Sequence, residues 1–171
     1  DIAASAVRLI GDTAVGASES TVDELDTAVD TIAVRAGTGG VFVRDVNALT
    51  VSTISVVTVQ RVATDAETSP VADTAALSDV VSEGVAVLRA ASDTLTIAGG
   101  GDTVGLSAIG GILLEAETGA VSLEAVVQSA MGSISILAGT DVAWSADGDV
   151  LTGGGTVEVR ALDNILMATE A

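Results

Sequence analysis

The chain is set apart first by what it does not contain. Its 171 residues include no cysteine, histidine, lysine or tyrosine, and only one phenylalanine and one tryptophan. Without cysteine there is neither a disulfide nor a thiolate metal site. Without histidine or cysteine the usual partners of nucleophilic catalysis are missing. A carbohydrate platform needs several exposed aromatic rings, and one tryptophan does not make one. Basic groups amount to six arginines against 24 acids, a net charge of −18. Nucleic-acid binding depends on neutralising phosphates with basic side chains, so this balance excludes it as a class. Nor does any run approach the eighteen or so apolar residues of a membrane-spanning helix, despite a mean hydropathy of +0.62.

What is present is valine, alanine, isoleucine and leucine in quantity, interleaved with threonine, serine and 19 glycines. Small and β-branched residues favour narrow, regular strand stacks over a core built around aromatic rings. The stretch 132–171 shows the pattern most clearly. Ile134-Ser-Ile136 and Val157-Glu-Val159 each arrive two residues before an alanine, Ala138 and Ala161. After a polar step each is followed by a second alternating run, Val142-Ala-Trp144 and Ile165-Leu-Met167. Alternation of this kind marks strands with one buried face, and its recurrence at a period of twenty-odd residues marks a solenoid.

Traced backwards, the phrase gives seven anchors at residues 11, 36, 63, 90, 116, 138 and 161, spaced 25, 27, 27, 26, 22 and 23 apart. The copy ending at Ala63, Val57-Thr-Val59-Gln-Arg-Val-Ala63, is the weakest and lies out of phase by two residues. A third run, such as Leu49-Thr-Val51, Val104-Gly-Leu106 or Val150-Leu151, follows in several repeats, with turn residues between runs. The expected fold is therefore all-β, a parallel β-helix (β-solenoid) of about seven rungs of 22–27 residues with three short strands per rung. It forms a single domain over 1–171. Residues 20–31 and 69–84 have helix-like spacing, and Ser69-Pro70 suits an N-cap and first helical position, so short helices are expected there.

With the repeats laid out, the sequence resembles large repetitive bacterial exoproteins of the filamentous-haemagglutinin and adhesin type. The residues that carry this are GSISILAGTDVAWSADGDVLTGGGTVEVRALDNILMA at 132–168, with Leu137-Ala-Gly-Thr-Asp-Val142 and Arg160-Ala-Leu-Asp-Asn-Ile165 as the rung-to-rung signature. The resemblance implies a parallel β-helix and a secreted surface or adhesive fibre. It rests on repeats and composition, so it assigns no functional residue.

Three function classes follow. The first is a structural extracellular or cell-surface fibre, sheath or adhesin stalk, built by end-to-end stacking. The second is a ligand- or calcium-binding adhesive module. The third, a carbohydrate-active β-helix enzyme, is disfavoured by the missing Lys, His and Tyr, and the chain reads as no enzyme. Calcium is the cofactor an acidic solenoid would take at its corners. Asp102, Asp147 and Asp149 are the candidate ligands, though the Gly-Gly-x-Gly-x-Asp unit of calcium repeats never recurs. Arg8, Arg35, Arg89 and Arg160 stand on outward slots near the anchors and are candidate interface residues, since one side of the prism would then be less acidic. Trp144, in phase with Val142, reads as core. The terminal stretches read as rungs without polar caps. Another copy following directly would put its Gly11 21 residues after Ala161, near the internal period, so the expected partners are other copies head-to-tail, with lateral association between fibres. Abundant acids without lysine also fit a high-salt habitat.

Overall fold

A computed structural model describes residues 2–17, 24–101 and 103–168. Among them it contains strands and turns and no helix. The strands are β1 (Ile2–Gly11), β2 (Ala14–Val15), β3 (Leu25–Ala36), β4 (Gly40–Asp45), β5 (Leu49–Val51), β6 (Thr58–Val62) and β7 (Thr68–Ala72). They continue as β8 (Val80–Ser82), β9 (Ala86–Ala90), β10 (Leu95–Ile97), β11 (Val104–Ala108), β12 (Ile112–Ala116) and β13 (Val121–Leu123). The last are β14 (Val126–Ser129), β15 (Ile134–Ala138), β16 (Val142–Trp144), β17 (Val150–Thr152), β18 (Val157–Ala161) and β19 (Ile165–Met167). All but β6 and β7 join one 17-stranded parallel sheet that winds on itself. The protein is a parallel β-solenoid of about six turns, with three faces to a turn.

Face A stacks β4, β9, β12, β15 and β18. Face B stacks β5, β10, β13, β16 and β19. Face C stacks β8, β11, β14 and β17. The alternation seen in sequence becomes vertical ladders of identical direction. On face A the inward ladders are Val41–Ala86–Ile112–Ile134–Val157, Val43–Leu88–Leu114–Ile136–Val159 and Asp45–Ala90–Ala116–Ala138–Ala161. Face B contributes Leu49–Leu95–Val121–Val142–Ile165 and Val51–Ile97–Leu123–Trp144–Met167. The medium-sized side chains of these ladders fill the bore as one core cluster. Trp144 is half-buried and packs against that cluster, as its phase implied.

The inner edge of face C ends in Ser82, Ala108, Ser129 and Thr152. The Ser129 hydroxyl donates to Gly110 O at 2.7 Å and accepts from Gly132 N at 2.8 Å. Thr152 repeats the arrangement one turn on, donating to Gly132 O at 2.7 Å and accepting from Gly155 N at 3.0 Å. These hydroxyls satisfy the backbone where the chain turns from face C to face A, the usual service of Ser and Thr at turns.

The first turns differ from the rest. β3 is long because it runs over three strands of the next turn, pairing with the end of β4, with β5 and then with β8, and β1 lies on β3 residue for residue. Where β3 steps from face A to face B, the fully buried Asp45 carboxylate accepts from Thr27 Oγ1 at 2.6 Å, from Val29 N at 2.9 Å and from Asn47 N at 2.8 Å.

Four expectations are corrected. The anchor at Ala63 is not a rung: β6 and β7 form an antiparallel hairpin projecting from the corner between β5 and β8, so face A repeats after 45 residues here, Val41 on Ala86. The expected helix over 69–84 is instead β7, a bridge at Leu77 and β8. Of the expected helix over 20–31, residues 24–31 form a bend and the start of β3, while 20–23 lie outside the described residues. Finally, Gly11 stacks on Ala36, and Ala36 on Ser82, on the face C column, whereas Ala161 stacks on Ala138 on face A. The 21-residue spacing from Ala161 to a following Gly11 therefore joins two different columns and sets no head-to-tail register.

The corners explain the uneven period. Those from A to B hold three or four residues, as do those from C to A. Those from B to C hold 28 residues (52–79), then six, two and five.

Candidate functional site: the open last turn

In the middle turns the inward ladders are sealed above and below; Ile134, Ile136 and Val142 are fully buried. The last turn has no turn above it among the described residues. Among the described residues β17, β18 and β19 each pair on one edge only, which leaves the backbone N–H and C=O groups of the other edge without strand partners there. The same inward ladders that are sealed below surface here, with Val157 44 %, Ile165 54 % and Met167 76 % exposed. Two outward residues of this end are also apolar and half exposed, Leu151 at 51 % and Leu166 at 50 %. Between them on face A stand Glu158 and Arg160, both exposed and outside every ion pair among the described residues. Such an end combines uncovered apolar ladders with unpaired strand edges, the combination by which sheets recruit further strands.

The candidate interface arginines do not form one side. Arg89 and Arg160 share the outward column Arg44–Arg89–Glu115–Leu137–Arg160 on face A. Arg35 is exposed in another column, between Ile10 and Val81. Arg8 lies beside Ala33, near the corner from B to C, and is ion-paired with Asp73 of the hairpin segment. The Asp73 carboxyl is held below its usual value by the hydrogen bond from Arg8, with a second from Val57 N.

Arg89 is the centre of a charge cluster. It meets Glu115 at 2.6 Å, Glu24 at 3.1 Å and Glu117 at 3.1 Å, and Glu117 also takes Arg44 Nε at 2.9 Å. The Arg44 hydrogen bond holds Glu117 below its usual pKa, aided by the charges of Arg44 and Arg89, and it raises Arg44 in turn. Burial alone would lower Arg89, but its bond to Glu115 and the charges of Glu115 and Glu24 outweigh that and raise it. The cluster neutralises two arginines stacked directly on each other, so it fastens adjacent turns. Glu24, Arg44 and Glu117 were not singled out from the sequence, because their partners lie 28 to 73 residues away.

Of the candidate calcium ligands, Asp102 lies outside the described residues. Asp147 is exposed and shares a hollow of about 270 Å³ with Glu124, Gly99 and Thr103. Asp149 is exposed, and its carbonyl accepts from Val127 N at 2.8 Å. No group of three or more acids among the described residues is placed to hold a metal.

Compared with known proteins, the chain matches no family model, no curated protein and no solved structure.

Proposed function

We propose that this protein is a structural segment of an extracellular fibre, sheath or adhesin stalk, lengthened end to end through its open last turn. The observation that carries the reading is the last turn itself, where ladders buried in the middle turns become exposed and, among the described residues, each strand keeps a free edge. In a solenoid each turn is stabilised by its neighbours alone, so a further turn set on this end gains the same backbone bonds and apolar contact as any internal one. At a strand spacing of about 4.8 Å, six turns make a rod roughly 29 Å long. The likeness of residues 132–168 to haemagglutinin- and adhesin-type exoproteins supports a surface location.

The test is negative-stain microscopy of the purified chain at rising concentration, paired with antibody labelling of intact producing cells. The expected result is particles joined end to end in multiples of one rod length, and label at the surface. Particles of single length at every concentration, or label confined to the cell interior, would refute the reading.

A further inference from the structure

We infer that the cleft between the β6–β7 hairpin and β1 is a binding site for a fatty carboxylate, an aliphatic chain ending in a single negative charge. The inference goes beyond the reading of the protein as a fibre segment and does not rest on it. The cleft opens on the flank of the rod, outside the stack of turns.

The hairpin is fastened at its root and stands off further out. At the root Ile54 and Leu77 bridge to each other and close over Ala33 of β3, and all three are buried as a small core of their own. Beside Ala33, Arg8 of β1 is ion-paired with Asp73, whose other oxygen accepts from Val57 N at 3.2 Å. Further along, Val59 pairs with Val71 and Arg61 with Ser69. Alternation then sets Val57, Val59, Arg61 and Val71 on one side of the hairpin, and this side looks towards Ala6 and Ile10 of β1. The two walls do not meet. They enclose a cleft of about 390 Å³, and Val57, Val59 and Ile10 stay 41 %, 52 % and 55 % exposed.

A space of a few hundred Å³ with aliphatic walls and few polar groups is the ordinary form of a small-molecule site. No aromatic ring lines it, and no side-chain hydroxyl or amide that would orient a sugar or a nucleoside. The body that fits is therefore an aliphatic chain.

The charges decide the head group. Two arginines and one aspartate line the cleft, an excess of one positive charge in a chain of net −18. Asp73 is engaged by Arg8, while Arg61 has no ion-pair partner among the described residues. Arg8 Nε, buried and without a hydrogen-bond partner, adds to the positive potential of the floor. The other acids of the hairpin segment, Asp65 and Glu67, stand at its tip beyond the last pair, Val62 with Thr68, and form no part of the wall. A guanidinium takes a carboxylate through two parallel hydrogen bonds. One such head on Arg61 leaves the cleft neutral. A phosphate, with up to about two negative charges, would leave an excess of negative charge in an already acidic protein.

The experiment is isothermal titration calorimetry of the full chain with decanoate, octanoate and decan-1-ol, each below its limit of micelle formation or solubility. Decanoate should bind at one site per chain. Octanoate, with two methylenes fewer to bury, should bind roughly tenfold more weakly. Decan-1-ol, which lacks the charge, should also bind about tenfold more weakly. Arg61→Gln should bring decanoate down to the level of the alcohol and leave the alcohol unchanged, and Val59→Asp should abolish binding of both. Both side chains are exposed, so each variant should keep the parent's circular dichroism and melting temperature. No heat of binding with decanoate would overturn the proposal. So would uptake of several molecules per chain that ignores both substitutions, which is adsorption to the surface. Equal binding of decanoate and the alcohol, unmoved by Arg61→Gln, would overturn the assignment of the head group. None of these outcomes bears on end-to-end growth, which microscopy reads separately.

Discussion

Asp45→Ala is the substitution that asks most of this account. Asp45 occupies a slot that holds alanine in each later turn, Ala90, Ala116, Ala138 and Ala161. By the logic of ladders alone, alanine should therefore fit. The local hydrogen bonds say otherwise. β3 leaves β4 after Thr27 and regains the stack at Thr31 on β5, and the carboxylate supports the arch between. Removing it strands two buried donors, the Thr27 hydroxyl and Val29 N, whose residues are each 1 % exposed; Asn47 lies at the surface, where water can replace the lost acceptor. A buried donor left without its partner costs about 1–3 kcal/mol, and bonds to a charged acceptor lie at the upper end. The loss is set against the desolvation that a buried carboxylate no longer bears. A net destabilisation of about 3 kcal/mol is expected. For a domain of this size each kcal/mol moves the midpoint by about 2–4 °C, so thermal melts at neutral pH should fall by roughly 10 °C. Amide exchange at Val29 should accelerate well before global unfolding. Asp45→Asn, which keeps one acceptor oxygen, should fall between. An Asp45→Ala protein as stable as the parent would show that the ladder, not the carboxylate, holds the arch, and the reasoning would be wrong.

Two further outcomes can be checked by similar means. A Cβ at Gly119 would meet Asp93 O at 1.9 Å, whereas at Gly101 its nearest neighbour is Ser78 Oγ at 3.9 Å; Gly119→Ala should cost about 3 kcal/mol or prevent folding, and Gly101→Ala should stay within about 0.5 kcal/mol in denaturant melts. The folded-state pKa of Glu117 lies below its unfolded value of 4.5, so its stabilisation is complete above that value and is lost as pH falls through the depressed one. The stability difference between the parent and Glu117→Gln should therefore be present at pH 7 and shrink below about pH 4.5, and a difference that grows on acidification would contradict the assignment.

Residues 84–168 were legible because three things agree there: alternation, a near-constant period and turn residues between runs. Ile112, Ile134 and Val157 fall on one vertical line as their spacing implies. The early part misled for physical reasons. A strand of an antiparallel hairpin alternates as a rung does, so Val57-Thr-Val59 imitated a repeat, and the 28-residue excursion is close to one period long. Asp26 and Asp30 face water from a strand, whose spacing with Val29 also suits an amphipathic helix. The open turn was legible in part, since Ile165 and Met167 could be placed inward from phase alone. The Arg89 cluster depends on which columns and turns lie side by side, and no local spacing reveals that.

The unequal corners give the rod one edge unlike the other two. Along the edges from A to B and from C to A, the chain has three or four residues in which to turn, and Gly119 shows how little room is left there. Along the edge from B to C it carries from two residues to 28 without disturbing a ladder: Val51 and Val80, separated by the whole excursion, still sit over Ile32 and Val34. Loop closure grows only logarithmically with length, so this edge accepts insertions at small cost. It is a seam for display, where segments of unrelated sequence can be hung on the rod and exchanged while the bore behind them stays the same.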